Sequence, residues 1–130
     1  MRIMTILGSP RRQGNTAKVL GWIEEQFRAD GHEVDSVAIL DYRVQGCGEC
    51  MACKKGTVEL CSIGDDANGL YRRMVAADLV IPGFQQLVEW LKGRMAGHWF
   101  VGGCTLPEAI GDEVKARMAE FARLVTKGAN

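Results

Sequence analysis

The chain has 130 residues with 16 basic and 16 acidic side chains, so its formal net charge is zero; 47% of its residues are hydrophobic and 25% charged. That length suits one domain, 1–130, able to bury its own core. The charge balance argues against a nucleic-acid partner, which calls for a basic surplus, and an aromatic share of 7% offers few stacking platforms for single strands.

Residues 2–7, RIMTIL, read as a buried strand that runs into Gly8-Ser9-Pro10. This N-terminal stretch lacks the small-residue cleavage site of a signal peptide, and no apolar run approaches the ~18 residues of a membrane span. The expected setting is cytoplasmic, with no membrane partner and with thiols kept reduced. From Asn15, read as an N-cap, the period becomes helical. Val19 or Leu20, then Ile23 and Phe27, share one face, Glu24 can pair with Arg28, and Gly31 supplies the stop.

A second strand, EVDSVAIL, covers 33–40. The cysteine segment 46–62 follows with no clear period. Asp65 or Asp66 caps the next helix, whose expected apolar face is Ala67, Leu70, Tyr71, Met74 and Val75. Asp78–Ile81 is the third strand. Phe84, Leu87, Val88, Leu91 and Met95 define a third helix, HWFVGG at 98–103 a fourth strand, and about 112–125 a last helix burying Val114, Met118, Phe121 and Val125. Strands alternating with helices imply an α/β domain with a parallel sheet and helices on both faces, whose ligands bind beyond the carboxyl ends of the strands.

Two motifs fall at that end. The first, GSPRRQGNT at 8–16, joins strand one to helix one. Gly8 and Gly14 permit tight turns. The first amides of the helix and its dipole form an anion site. Ser9, Asn15 and Thr16 add donors, and Arg11 or Arg12 can neutralise phosphate charge. The spacing is neither a Walker loop nor GxGxxG. The plainer alternative is a helix-start turn carrying two solvated arginines.

The second motif holds four of the five cysteines. Cys47, Cys50, Cys53 and Cys61 give C-x2-C-x2-C-x7-C, which suits the four thiolates of a [4Fe–4S] cluster. Gly46, Gly48 and Gly56 let the backbone come close. Zinc is the first competitor, although structural zinc sites usually space their ligands as two separated pairs; simple or redox-active thiols are the other alternative. Cys104, Trp22, Trp90 and Trp99 read as packing residues. Arg72 and Arg73 read as a solvated helix face, Lys54 and Lys55 as solvent-facing, and Tyr42 as a possible shield for the cysteines. His32 and His98 lie at strand starts and receive no role.

ILGSPRRQGNTAKVL followed by CGECMAC…C resembles the iron–sulfur flavoproteins of the NADPH-dependent FMN reductase and flavodoxin-like superfamily, over residues 1–81 and again at 98–125. The resemblance implies a flavodoxin-like three-layer sandwich. It implies FMN, with its phosphate in the loop of Ser9, Arg11, Gly14, Asn15 and Thr16, and a cluster on Cys47, Cys50, Cys53 and Cys61. The implied activity is that of a flavin-dependent oxidoreductase passing electrons between cluster and flavin, with a ferredoxin-type or nicotinamide donor. An FMN reductase without a functional cluster and a flavin-free metal-binding module are the alternatives. One departure stands out. Where the family has a Ser/Thr-Pro-aromatic loop, a further βα unit and a Gly-Gly loop, DLVI runs directly into Pro82-Gly83-Phe84. The shortfall is roughly 30–60 residues, judged by the size of a βαβ unit. The expected sheet therefore has about four strands, and a shortened sheet is expected to be covered in a homo-oligomer.

Overall fold

The computed structural model describes residues 1–81 and 111–128. In chain order these form β1 (Arg2–Leu7), α1 (Asn15–Ala29), β2 (Glu33–Ala38), a 3-10 turn (Ile39–Asp41), α2 (Ala67–Val75), β3 (Leu79–Ile81) and α3 (Asp112–Gly128). The helix expected over 84–95, the strand at 98–103, Pro82-Gly83-Phe84, Trp90, His98, Trp99, Gly102-Gly103 and Cys104 lie outside the described residues.

Among the described residues the sheet has the order β2-β1-β3. Both pairings are parallel, with Arg2 opposite Glu33, Leu7 opposite Ala38, and Ile3 opposite Leu79. Right-handed crossovers leaving β1's two flanks in turn must place α1 and α2 on opposite faces. The side chains follow this geometry. Ile3, Ile23, Phe27, Met118, Ala122 and Val125 form one core cluster under α1 and α3, while Met4, Val37 and Leu70 form another under α2. The result is an α/β three-layer sandwich with a flavodoxin-like strand order.

Local signals explain most of these boundaries. Gly31 has φ 82°, the left-handed conformation that glycine adopts without a Cβ penalty. Around it, His32 N–H donates to Phe27 O at 2.9 Å and Gly31 N–H to Arg28 O at 3.1 Å, the two bonds of a Schellman stop. Arg28 reaches Glu24 at 3.2 Å, as the i,i+4 spacing predicts. Glu24 also accepts from the buried Thr5 hydroxyl, so α1 is pinned to the centre of β1. On α3, Met118 and Val125 are buried and Val114 and Phe121 pack beside them, as read from the sequence. Trp22 packs against the same cluster under the ammonium groups of Lys18 and Lys115.

The structure differs from the sequence reading at four places. α1 is capped by Gly14, with Asn15 as its first residue, because the Gly14 N–H closes a turn onto Arg11 O at 3.0 Å and brings the chain into the helix early. β2 ends at Ala38, and Ile39–Asp41 winds into a 3-10 turn. β3 begins at Leu79; Asp78 instead ties the foot of the sheet, its carboxylate accepting from Arg2 N–H at 2.7 Å. On α2 only Leu70 is buried and Met74 packs beside it, whereas Tyr71 and Val75 are exposed. A helix this short presents too narrow a stripe to bury all five residues.

Candidate functional site

Leu7 and Ala38 are register partners, so the loops that leave β1 and β2 start side by side at the carboxyl end of the sheet. Flavodoxin-type sheets take their ligand at this end, where the strand order reverses between β1 and β3.

The first loop is short. Gly14 adopts an extended conformation, φ −75° and ψ 173°, and makes no side-chain cap; the first turn of α1 holds no acidic residue. The amides at the helix start therefore face the loop without a carboxylate competing for them, as an anion site requires. A Cβ on Gly14 would lie 3.0 Å from Arg11 Cβ and 3.2 Å from Arg11 O, so a side chain there would push Arg11 aside. Ser9 Oγ accepts from Arg11 N–H at 3.2 Å. Ser9, Arg11, Gly14, Asn15 and Thr16 thus fall in one turn and the first residues of α1. The donors suit a phosphate group.

Of the two arginines, the structure separates Arg12. It makes a two-pronged ion pair with Asp41 at the end of the 3-10 turn, Nη1 lying 3.0 Å from Oδ2 and Nη2 donating to Oδ1. The hydrogen bond from Arg12 holds the Asp41 carboxyl below its ordinary range. Arg11 makes no ion pair among the described residues.

The second loop carries the cysteines and is held at its base. Asp66 N–H donates to Arg43 O at 3.1 Å, and Arg43 N–H returns a bond to the Asp66 carboxylate at 2.7 Å. Gln45 N–H donates to the Asp65 carboxylate at 2.7 Å, and the other Asp65 oxygen accepts from Ala67 N–H at 3.0 Å, closing the start of α2. Higher up, Asn68 grips the backbone of Cys61 at two points. Its Oδ1 accepts from Cys61 N–H and its Nδ2 donates to Cys61 O, both at 2.9 Å. Cys50 Sγ lies 3.1 Å from Ser62 Oγ. That hydroxyl, then the Ala52 amide, lowers the Cys50 thiol pKa. Glu49 and Met51, on either side of Cys50, both have positive φ, 51° and 62°. Such backbone is sparsely populated for residues bearing a Cβ.

All four cysteines in this loop are free thiols; Cys47, Cys50 and Cys53 are exposed and Cys61 is half-buried. Among the described residues no group of three or more His, Cys, Asp or Glu side chains converges to hold a metal ion. Four thiols suit iron–sulfur chemistry in kind. Their placement brings the Cys50 and Cys61 arms together but does not gather the sulfurs.

Two residues assigned to other roles belong to the loop's foot. Arg73 is not a free surface side chain but half-buried and paired: its Nε lies 2.9 Å from one oxygen of Asp35, its Nη2 donates to the other, and its Nη1 donates to Tyr42 Oη. The pair raises the Arg73 pKa and lowers that of Asp35. Tyr42 is thereby fixed against α2 at the point where the cysteine loop begins. Arg72 reaches Glu59 at 2.9 Å. Asn68 had no signal in the sequence beyond its place in the first turn of a helix.

The NADPH-dependent FMN reductase family matches residues 1–86. The chain belongs to that family. It is 38% identical over 81 residues to an iron–sulfur flavoprotein of Methanosarcina thermophila, covering 62% of this chain and 41% of that relative. To an iron–sulfur flavoprotein of Archaeoglobus fulgidus it is 35% identical over 83 residues, 64% of this chain and 39% of the relative. The matched stretch thus spans about two fifths of these relatives' length. No solved structure matches the chain significantly. Among the described residues no helix is long and apolar enough to cross a membrane.

Proposed function

We propose that the chain is a flavin-dependent oxidoreductase of the FMN reductase kind, acting in the cytoplasm. The start of α1, whose cap Gly14 has no side chain to occupy the first amides, carries this reading, since it offers a phosphate group backbone amides at the carboxyl end of β1. Ser9, Arg11, Gly14, Asn15 and Thr16 would hold the FMN phosphate. When bound, FMN supplies the capacity to take one or two electrons, from a nicotinamide or a ferredoxin-type donor. The protein's part is to anchor and orient it. A homo-oligomer belongs to the same proposal, with the exposed Tyr71 and Val75 offering apolar surface to a second copy.

The test is purification without oxygen, with extracted flavin counted per chain and reduction by NADPH followed at the flavin band. One FMN per chain, reduced by NADPH, supports the reading. A chain that neither retains nor rebinds FMN overturns it.

A second reading is favoured by the grip of Asn68 on Cys61 and the approach of Cys50 to Ser62, which bring the two cysteine arms together. On it, Cys47, Cys50, Cys53 and Cys61 hold a [4Fe–4S] cluster that exchanges single electrons with the flavin. The named relatives are iron–sulfur flavoproteins. Iron and acid-labile sulfide at about four per chain would support this. Flavin with no stoichiometric iron would leave a plain FMN reductase with free thiols. Zinc or iron without flavin would point to a metal-binding module.

A further inference from the structure

The glycine turn has two adjacent arginines, and the fold treats them differently. Arg12 is engaged by both carboxylate oxygens of Asp41, a residue from the turn that follows β2. Arg11, one residue earlier, has no such partner among the described residues. Arg12 stands two residues before Gly14, the N-cap whose helix offers the anion site. A guanidinium meets a carboxylate and a phosphate with the same fork of N–H groups.

We infer that Asp41 sets the phosphate affinity of this loop by occupying Arg12, so that a flavin's phosphomonoester must compete with a carboxylate for that guanidinium. The inference rests on the flavin reading above. Asp41 acts twice. It neutralises one of two cations at the loop, and its own charge repels an incoming dianion. Both residues are exposed, with side-chain accessibilities of 56% and 51%. The bias is therefore modest and falls with ionic strength. Arg11 is left as the cation free to meet the phosphate, and Arg12 as a reserve released only when Asp41 lets go. Riboflavin, which lacks the phosphate, is indifferent to the pair.

The experiment titrates flavin-free full-length protein with FMN and with riboflavin, by flavin fluorescence at low and high salt. Asp41→Asn should bind FMN roughly three- to tenfold more tightly at low salt, with the gain shrinking as salt rises. Riboflavin affinity should not change. Adding Arg12→Ala to Asp41→Asn should remove most of the gain. Asp41→Ser serves as a second variant, and thermal melting checks that each is folded. Unchanged or weaker FMN binding in Asp41→Asn overturns the inference and leaves the flavin reading standing. So does a gain that survives Arg12→Ala, or one shared by riboflavin. Failure of the wild-type chain to bind FMN overturns the flavin reading itself, and the inference with it.

Discussion

Residues 8–14 pass from β1 to α1 through one tight backbone turn and the Arg12–Asp41 pair, whereas residues 42–66 pass from β2 to α2 on a stem fixed mainly by side chains of 65–73. In the first loop Gly14 closes onto Arg11 O, and a Cβ there would crowd Arg11 Cβ and O at 3.0 and 3.2 Å. In the second, Asp65, Asp66 and Arg73 each use a side chain to fix a backbone or phenol group of the outgoing arm, and Asn68 ties the returning arm at Cys61 to α2. On the flavin reading, the first loop offers a phosphate the main-chain amides at the start of α1, placed by the fold itself, with Ser9 and Arg11 beside them. The groups of the second loop are thiols, and the fold sets their stem without gathering them. On the cluster reading the final gathering falls to the metal, as is common where binding and local folding are coupled.

The sharpest way to break this contrast is at Cys50. Cys50→Ser should abolish retention of iron and sulfide and leave FMN binding intact. Because Cys50 is exposed, the thermal unfolding midpoint should stay close to wild type. Iron at wild-type level in the variant would remove Cys50 from the ligand set. Next comes Arg11→Ala, which should weaken FMN roughly 10- to 100-fold, the worth of one hydrogen bond to a charged group, with riboflavin unaffected. Unchanged FMN affinity would place the phosphate elsewhere.

How much of this the sequence disclosed follows the same division. Wherever one period or one glycine decides, the reading holds: β1, the Ile23–Phe27 face, the stop at Gly31 and the Met118–Val125 stripe all carry local signals. The glycine turn was legible for that reason, although not the diversion of Arg12 to Asp41. The stem of the cysteine loop was illegible. Asn68 meets Cys61 seven residues away, and Arg73 meets Asp35 across 38 positions, so neither contact leaves a repeat or spacing to read. The assignment of Tyr71 and Val75 to a buried face failed because a helix of nine residues docks mainly through Leu70 and Met74.

Asn68→Ala tests the stem directly. It leaves the Cys61 N–H and carbonyl without their partners in a partly buried place, at a cost of about 1–3 kcal/mol. In metal-free protein the Cys61 thiol should be alkylated faster than in wild type, while Cys47 and Cys53, already exposed, should react at unchanged rates. Asn68→Asp should be only a partial remedy, since a carboxylate can accept from Cys61 N–H but faces Cys61 O with no proton to give. Equal Cys61 reactivity in all three proteins would show that Asn68 does not fix that backbone.

The smallest expected effect lies at the foot of the stem. Asp35→Asn weakens the pair with Arg73, and because both side chains are about one-third exposed the loss should be about 1 kcal/mol. Its pH dependence separates it from ordinary packing loss. The hydrogen bond from Arg73 holds the native Asp35 carboxyl below its ordinary value of 3.8. On acidification the unfolded chain therefore takes up this proton first, and protons favour the unfolded state. The stabilisation is present in full well above 3.8, declines as the pH falls through that value, and is gone below the native pKa. The stability gap between wild type and Asp35→Asn should accordingly close in acid. Asp41, lowered by Arg12, gives the wild type a second acid-sensitive contribution of the same sign, so the variant's profile flattens only in part. A gap that stayed constant from neutral pH into strong acid would mean that Asp35 acts through shape and not charge, and Arg73 would then hold Tyr42 on its own.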